Sequence, residues 1–382
     1  MPDVLCMSDS DLLAAATSSA LRRYPAETAR WNYENGLMLY SLLRNSGEVQ
    51  NHVLDAEVAR RLDGTLDEDG AIKNYRIEDF NLDQINMGKV ALTLWENTGD
   101  RRYGNAVGLL VRQLALQPRT PSGSFWHKKM YPDQVWLDGL YMFGPFIAEY
   151  ANATRDQAMR DDVATQLLRA RDTMCDRATG LYYHGRDESG HMAWANPDTG
   201  CSPEFWARGI AWLAMALTDS LELLPGSSDA DGAMAGTAPA LVAMLRDLAG
   251  ALIRCQQPSG LWCQLPTKPE LAGNYAEASA SCMIAYALLK GCRMGWLPRD
   301  ACLQAGRKAL AGIKERFVTA DERGDIHLSG ICKVAGLGGT PYRDGSAAYY
   351  LGEPIVSDDF KGFGPFLLAL GESIKTAAPS GP

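Results

Sequence analysis

The sequence contains no apolar run approaching the roughly 18 residues that a membrane-spanning helix needs. Its first 25 residues, MPDVLCMSDSDLLAAATSSALRRYP, place acids early and lack a basic stretch followed by an apolar one. A secretion signal is therefore not expected; a first helix capped near Ser8 or Asp9 is. Excess positive charge is also missing. Lys and Arg total 37 against 46 Asp and Glu, for a net charge of -9, which excludes nucleic acid or an anionic membrane as the main partner. There is no CxxC pair. The nine cysteines, at 6, 175, 201, 255, 263, 282, 292, 302 and 332, are odd in number and scattered. This predicts reduced thiols, a cytoplasmic location and no structural zinc.

Alternating strand patterns are scarce, and helical periodicity dominates. GLMLYSLLRN, GKVALTLWEN, GLYMFGPFIAEYA, GIAWLAMALTDSLELL, ASCMIAYALLKGCR and GFGPFLLALGESI are apolar on most faces and open at Gly36, Gly88, Gly139, Gly209, Ala280 and Gly362. Helices of that kind are buried on several sides. Amphipathic segments such as RYGNAVGLLVRQLAL and RDACLQAGRKALAGIKERF alternate with them. Six inner–outer pairs within 382 residues predict an all-α fold, an (α/α)6 barrel of six helical hairpins, with an open superhelical array as its rival. SGSFWHKK, TGLYYHGR, SGLWCQLP and RGDIHLSG recur ahead of inner helices and read as hairpin loops on one rim. PGSSDADGAMAGTAP (225–239) reads as a mobile loop rather than a linker. A single catalytic domain is expected over 1–376, with 377–382 a disordered tail.

Two predicted inner-helix starts carry carboxylates, Asp83 in NLDQINMGK and Asp138 in QVWLDGLYM. Paired carboxylates on one rim suit sugar cleavage; each also suits a helix cap or a buried structural Asp. Trp136, Leu137, Leu140 and Tyr141 around Asp138 predict a desolvated carboxyl with a raised pKa. His127 and His184 stand at matched places in two rim loops. Lys128, Lys129 and Arg208 are cations that suit a carboxylate ligand, or are solvated surface charge. Trp126, Trp206 and Trp212 are stacking platforms for sugar rings, or simply core.

WNYENGL, NLDQINMGK, FWHKKMYPDQVWLDGLYMFGPF, FWARGIAW, NYAEASASCMIAYALLKG and GTPYRDGSAAYYLGEPIVSDDFKGFGPFLLA run in order over nearly the whole chain. They resemble the signature segments of the unsaturated rhamnogalacturonyl hydrolases, glycoside hydrolase family 105, relatives of the family 88 unsaturated glucuronyl hydrolases. The resemblance implies a six-hairpin barrel and release of a 4,5-unsaturated uronic acid by hydration of its C4=C5 bond. The substrate would be a small anionic oligosaccharide from pectin. Asp138 matches the family's general acid/base and Asp83 its second essential carboxylate. His127, Lys128, His184, Arg208 and Trp212 match substrate-contacting positions. No cofactor or metal is implied, and a monomer or weak homo-oligomer is expected.

Two departures touch specificity. Ile210 and Ala211 stand where many members have an amide and a glycine, removing a polar group from the expected pocket wall. Asp133 adds a carboxylate that either repels one class of anionic substrate or faces solvent, the second being the expectation. The competing functions are glucuronyl hydrolysis of glycosaminoglycan disaccharides, a six-hairpin sugar epimerase with histidine bases on inner helices, and a binding protein that has lost catalysis.

Overall fold

The computed structural model describes residues 4–49, 53–224 and 236–377. Most of the segment expected to form a mobile loop, 225–235, and most of the expected tail, 378–382, lie outside the described residues. Thirteen α-helices are formed among them: α1 (Asp9–Arg23), α2 (Tyr33–Arg44), α3 (Leu54–Asp63), α4 (Gly88–Thr98), α5 (Arg101–Leu116), α6 (Leu137–Thr154) and α7 (Gln157–Met174). There follow α8 (Ala207–Leu223), α9 (Ala238–Arg254), α10 (Ala278–Arg293), α11 (Arg299–Phe317), the short α12 (Ala347–Gly352) and α13 (Phe360–Ala377). The last helix thus takes in Ala377, the first residue of the expected tail.

The six inner helices expected from the apolar segments are α2, α4, α6, α8, α10 and α13. Each packs against the next, and α13 returns to α2, so the ring is closed. The outer helices α3, α5, α7, α9 and α11 pack on the inner helix before them, and α1 packs on α13. The last hairpin is therefore completed by the first helix of the chain. This is an (α/α)6 barrel, and the open array is ruled out.

Local sequence sets the helix starts. Ser8, Asn32, Asp100 and Asp156 accept backbone N–H groups at the starts of α1, α2, α5 and α7, which satisfies donors that a helix leaves unpaired. Of the small residues expected to open the inner helices, only Gly88 does; Gly36, Gly139, Gly209, Ala280 and Gly362 lie in the first turn, two or three residues inside, where glycine leaves room for close neighbours. A Cβ on Gly36 would come within 2.9 Å of the Met87 backbone, so α2 can approach the start of α4 only without a side chain.

The rim follows one rule, repeated. Leu82 N–H donates to the carbonyl of His127 (3.1 Å), Leu137 to His184 (3.0 Å), Ala207 to Gln264 (3.0 Å) and Ala278 to Gly330 (2.9 Å). Leu137, Ala207 and Ala278 are the first residues of α6, α8 and α10, whereas Leu82 and Asp83 lie in a short 3-10 turn (Leu82–Ile85) ahead of α4, not at the helix start expected for Asp83. The expected hairpin character of these loops is present as short antiparallel pairings. Arg119 pairs with Phe125 and Cys175 with Tyr182, and β3 (Val318–Ala320) pairs with β4 (Ile326–Leu328). Two further pairs stitch neighbouring loops together: β1 (Gln134–Trp136) with β2 (Gly185–Asp187), and β5 (Ile331–Cys332) with β6 (Ile355–Val356).

Candidate active site

The residue after each tied position is Asp83, Asp138, Arg208 or Ser279. Four consecutive repeats therefore place a side chain at the equivalent position of the rim, partly exposed at Asp83 and Asp138 and buried at Arg208 and Ser279. The rim histidines sit between successive helix starts, and glycines make room for them. A Cβ on Gly139 would lie 3.0 Å from His127 Nδ1, and one on Gly209 would lie 3.3 Å from His184 Cδ2.

One carboxylate–histidine pair and one carboxylate–lysine pair result. Asp138 Oδ2 lies 3.1 Å from His184 Nε2, and His184 Nδ1 lies 2.7 Å from the Tyr350 hydroxyl. Asp83 pairs with the Lys128 ammonium, while His127 Nε2 stands 3.6 Å from Asp83 Oδ1, beyond hydrogen-bond reach. Both histidines are buried, whereas Asp138 and Asp83 keep 14% and 16% of their side chains exposed. The carboxylates are thus the groups that a ligand can meet.

Aromatic rings hold both histidines. His127 stacks on Trp136 with centroids 4.5 Å apart, and Trp136 stacks on Tyr131 at 4.8 Å. His184 lies against Trp206 at 4.5 Å. Burial pushes the pKa of His127 down to about 4, so this ring is neutral near pH 7 and no salt bridge to Asp83 forms there. For Asp138 burial raises the pKa, but the His184 hydrogen bond outweighs it, together with the electrostatic effects of His184, His127 and Arg208, and the carboxyl is held below its ordinary value. The expectation of a raised pKa is therefore overturned. Apolar neighbours in the sequence were visible, but the histidine aimed at the carboxylate was not.

Arg208 is 1% exposed. Its Nη1 donates to Ser279 Oγ (3.2 Å) and to the Cys332 carbonyl, Glu277 lies 3.9 Å away, and Trp206 lies under the guanidinium. Its charge acts on Asp138 and Tyr33, yet its hydrogen bonds go to protein. Trp212 is equally buried, stacked on Tyr141 at 5.0 Å and met edge-on by Tyr33 at 6.5 Å. Arg208 is thus neither an open cation nor solvated surface charge, and Trp212 is core, one of the two readings its sequence allowed. Trp206 is buried as well, and Trp126 donates to Asp133 Oδ1 (3.1 Å). Asp133 is half-buried and held by that bond, not simply solvated. Ile210 and Ala211 are fully buried in the main core; their side chains are packing, not pocket wall.

Sequence reasoning missed Tyr350 and Tyr33. Tyr350 lay within a quoted segment, but only folding brings α12 against His184. Tyr33 follows the α2 cap and feels the charges of both Asp83 and Asp138. Beside Lys128, a depression of about 490 Å³ is lined by Asp79, Asn81, Lys128, Lys129 and Met130. Among the described residues no three His, Cys, Asp or Glu side chains converge as a metal site, and no helix is long and apolar enough to cross a membrane. The cysteines at 175, 201, 255, 263, 282, 292, 302 and 332 form no disulfide.

A closed helical barrel with two partly exposed carboxylates at its mouth, each beside a histidine, has the arrangement of a carbohydrate-cleaving enzyme. The chain belongs to Glycosyl Hydrolase Family 88, whose sequence model matches residues 14–377. It is 39% identical to a family 105 glycoside hydrolase of C. acetobutylicum ATCC 824, with 96% of this chain and 99% of that one covered and a TM-score of 0.89. It is 27% identical to the unsaturated rhamnogalacturonyl hydrolase YesR of Bacillus subtilis, over 68% of this chain and 70% of that protein. An unsaturated glucuronyl hydrolase from Bacillus sp. GL1, 14% identical with 94% of each chain covered and a TM-score of 0.69, shares the fold.

Proposed function

We propose that this glycosidase releases a 4-deoxy-4,5-unsaturated uronic acid from the non-reducing end of lyase-generated rhamnogalacturonan or pectin oligosaccharides. The observation that carries the reading is the pair of partly exposed carboxylates, Asp138 on His184 and Asp83 on Lys128. Its chemistry is hydration. A proton goes to C4 from the Asp138 carboxyl, water adds at C5, and the water's proton goes to a carboxylate of the site. The hemiketal formed at C5 opens, and the remaining sugar leaves from C1 with its oxygen protonated.

Asp138 is ionised before substrate arrives. An anionic uronate seated beside it brings like charge and expels water, and both raise its pKa toward the value a proton donor needs. Lys128 and the field of Arg208 balance the charge of the substrate's C6 carboxylate. The depression beside Lys128 and Lys129 has room for the leaving sugar. The likeness to the Bacillus subtilis enzyme and to the family 105 hydrolase of C. acetobutylicum supports the pectin branch; the glucuronyl hydrolase from Bacillus sp. GL1 is similar in fold at 14% identity. His127 and His184 lie in rim loops outside the inner helices, unlike the opposed bases expected of an epimerase.

The conjugated enol carboxylate absorbs in the ultraviolet, and hydration abolishes the band. Purified protein is given lyase-generated disaccharides from pectin and from glycosaminoglycans. Loss of absorbance on the pectin product is the expected result. Loss only on the glycosaminoglycan product transfers the enzyme to the glucuronyl branch, and loss on neither rejects the chemistry.

A further inference from the structure

Lys89, the second residue of α4, has no exposed surface, and its Nζ has no hydrogen-bond partner among the described residues. A buried ammonium left so is costly, and what receives it is aromatic. Nζ lies 3.8 Å from the ring centroid of Tyr141 on α6 and 4.5 Å from that of Tyr40 on α2. These are the two helices that flank α4 in the inner ring. Tyr141 in turn stacks on Trp212 at 5.0 Å with the planes 25° apart, and Trp212 meets Tyr33 edge-on. A continuous column thus runs from an interior cation to the tyrosine that feels both site carboxylates.

We propose that Lys89 is a positioning residue for the reaction, its ammonium fixing the buried Tyr141–Trp212 stack that backs Tyr33, the partly exposed ring against which the uronate is seated between Asp83 and Asp138. This rests on the function proposed above. A cation on the face of an aromatic ring is attracted to it most strongly when desolvated, as here, so ring and ammonium hold each other without a directional hydrogen bond. Burial pushes the pKa of Lys89 down to about 7, Asp219 and Glu149 act to raise it, and Lys290 acts to lower it. The side chain carries its proton at pH 6.

The test is Lys89→Met, which keeps the length and removes the charge; Lys89→Gln serves if the Met variant does not fold. At pH 6, the near-ultraviolet circular dichroism of each protein minus that of its Trp212→Phe counterpart isolates the Trp212 band. The expected result is an altered band, with KM for the unsaturated disaccharide raised about tenfold and kcat little changed, the scale of one desolvated cation–ring contact. An unchanged band overturns the proposal, as does an altered band with unchanged KM. So does a fall in kcat at constant KM, which a general structural role would give. If the wild type turns over no unsaturated disaccharide, the proposed function fails through that result, and the band comparison still decides whether Lys89 orients Trp212.

Discussion

His184 Nε2 lies 3.1 Å from Asp138 Oδ2 and is held there from its other side. Burial pushes the Tyr350 hydroxyl well above its ordinary pKa, so it keeps its proton and can donate to His184 Nδ1. On that assignment the Nε2–H faces Asp138, an N–H donor that stabilises the ionised carboxylate. His184 sets the charge of the acid, and Tyr350 sets the tautomer of His184.

Asp138→Asn keeps this hydrogen bond geometry and removes the proton carrier. Turnover of the unsaturated disaccharide should fall at least about a hundredfold, the usual scale for a general acid/base, with the circular dichroism spectrum unchanged. Near-normal turnover in the folded variant would remove Asp138 from the mechanism.

Tyr350→Phe leaves every group that can touch substrate in place and takes away the donor to His184 Nδ1. The expected outcome is a lower kcat together with a displaced pH–rate profile, because the proton distribution on His184 is no longer fixed. A profile that stays in place while activity falls would mean that Tyr350 contributes packing alone.

The fold was legible because burial repeats. Inner helices that are apolar all round and carry glycine in the first turn announce themselves at Gly36, Gly139 and Gly209, and the matched rim motifs correspond to matched backbone bonds at His127 and His184. Charge state was not legible. The pKa of Asp138 turns on a histidine 46 residues away, and no local pattern contains that contact. Exposure was not legible for the same reason. Arg208 and Trp212 open a helix that reads as pocket-facing, yet Ser279, Cys332, Tyr33 and Tyr141 close over them from other repeats.

Arg208→Lys tests that burial. Lysine keeps the charge near Asp138 but cannot reproduce the bonds to both Ser279 and the Cys332 carbonyl. Stability in urea should fall by about 1.5–3 kcal/mol, the range for hydrogen bonds to charged groups, with KM rising more than kcat falls. A collapsed kcat in a variant of full stability would instead put Arg208 at the reacting centre.

The last expectation concerns acid stability and His127. In the unfolded chain its pKa is near 6.5; in the fold, burial holds it at about 4. The folded state therefore resists protonation, and between those values the unfolded chain binds more protons. Stability rises with pH wherever that holds. The contribution is complete above pH 6.5 and is lost as the pH falls from 6.5 toward 4. Asp138 acts in the same direction but lower, since a carboxyl held below its ordinary value loses its stabilising effect only under about pH 4. The two windows can be read apart. Between pH 7 and pH 4.5, unfolding in urea should show about 2.5 kcal/mol of lost stability from His127 alone. His127→Gln carries no titrating ring, so whatever its absolute stability, its loss over the same interval should be smaller by that amount. Equal losses in the two proteins would mean that His127 is protonated as readily in the fold as outside it, and its neutrality beside Asp83 would have to be abandoned.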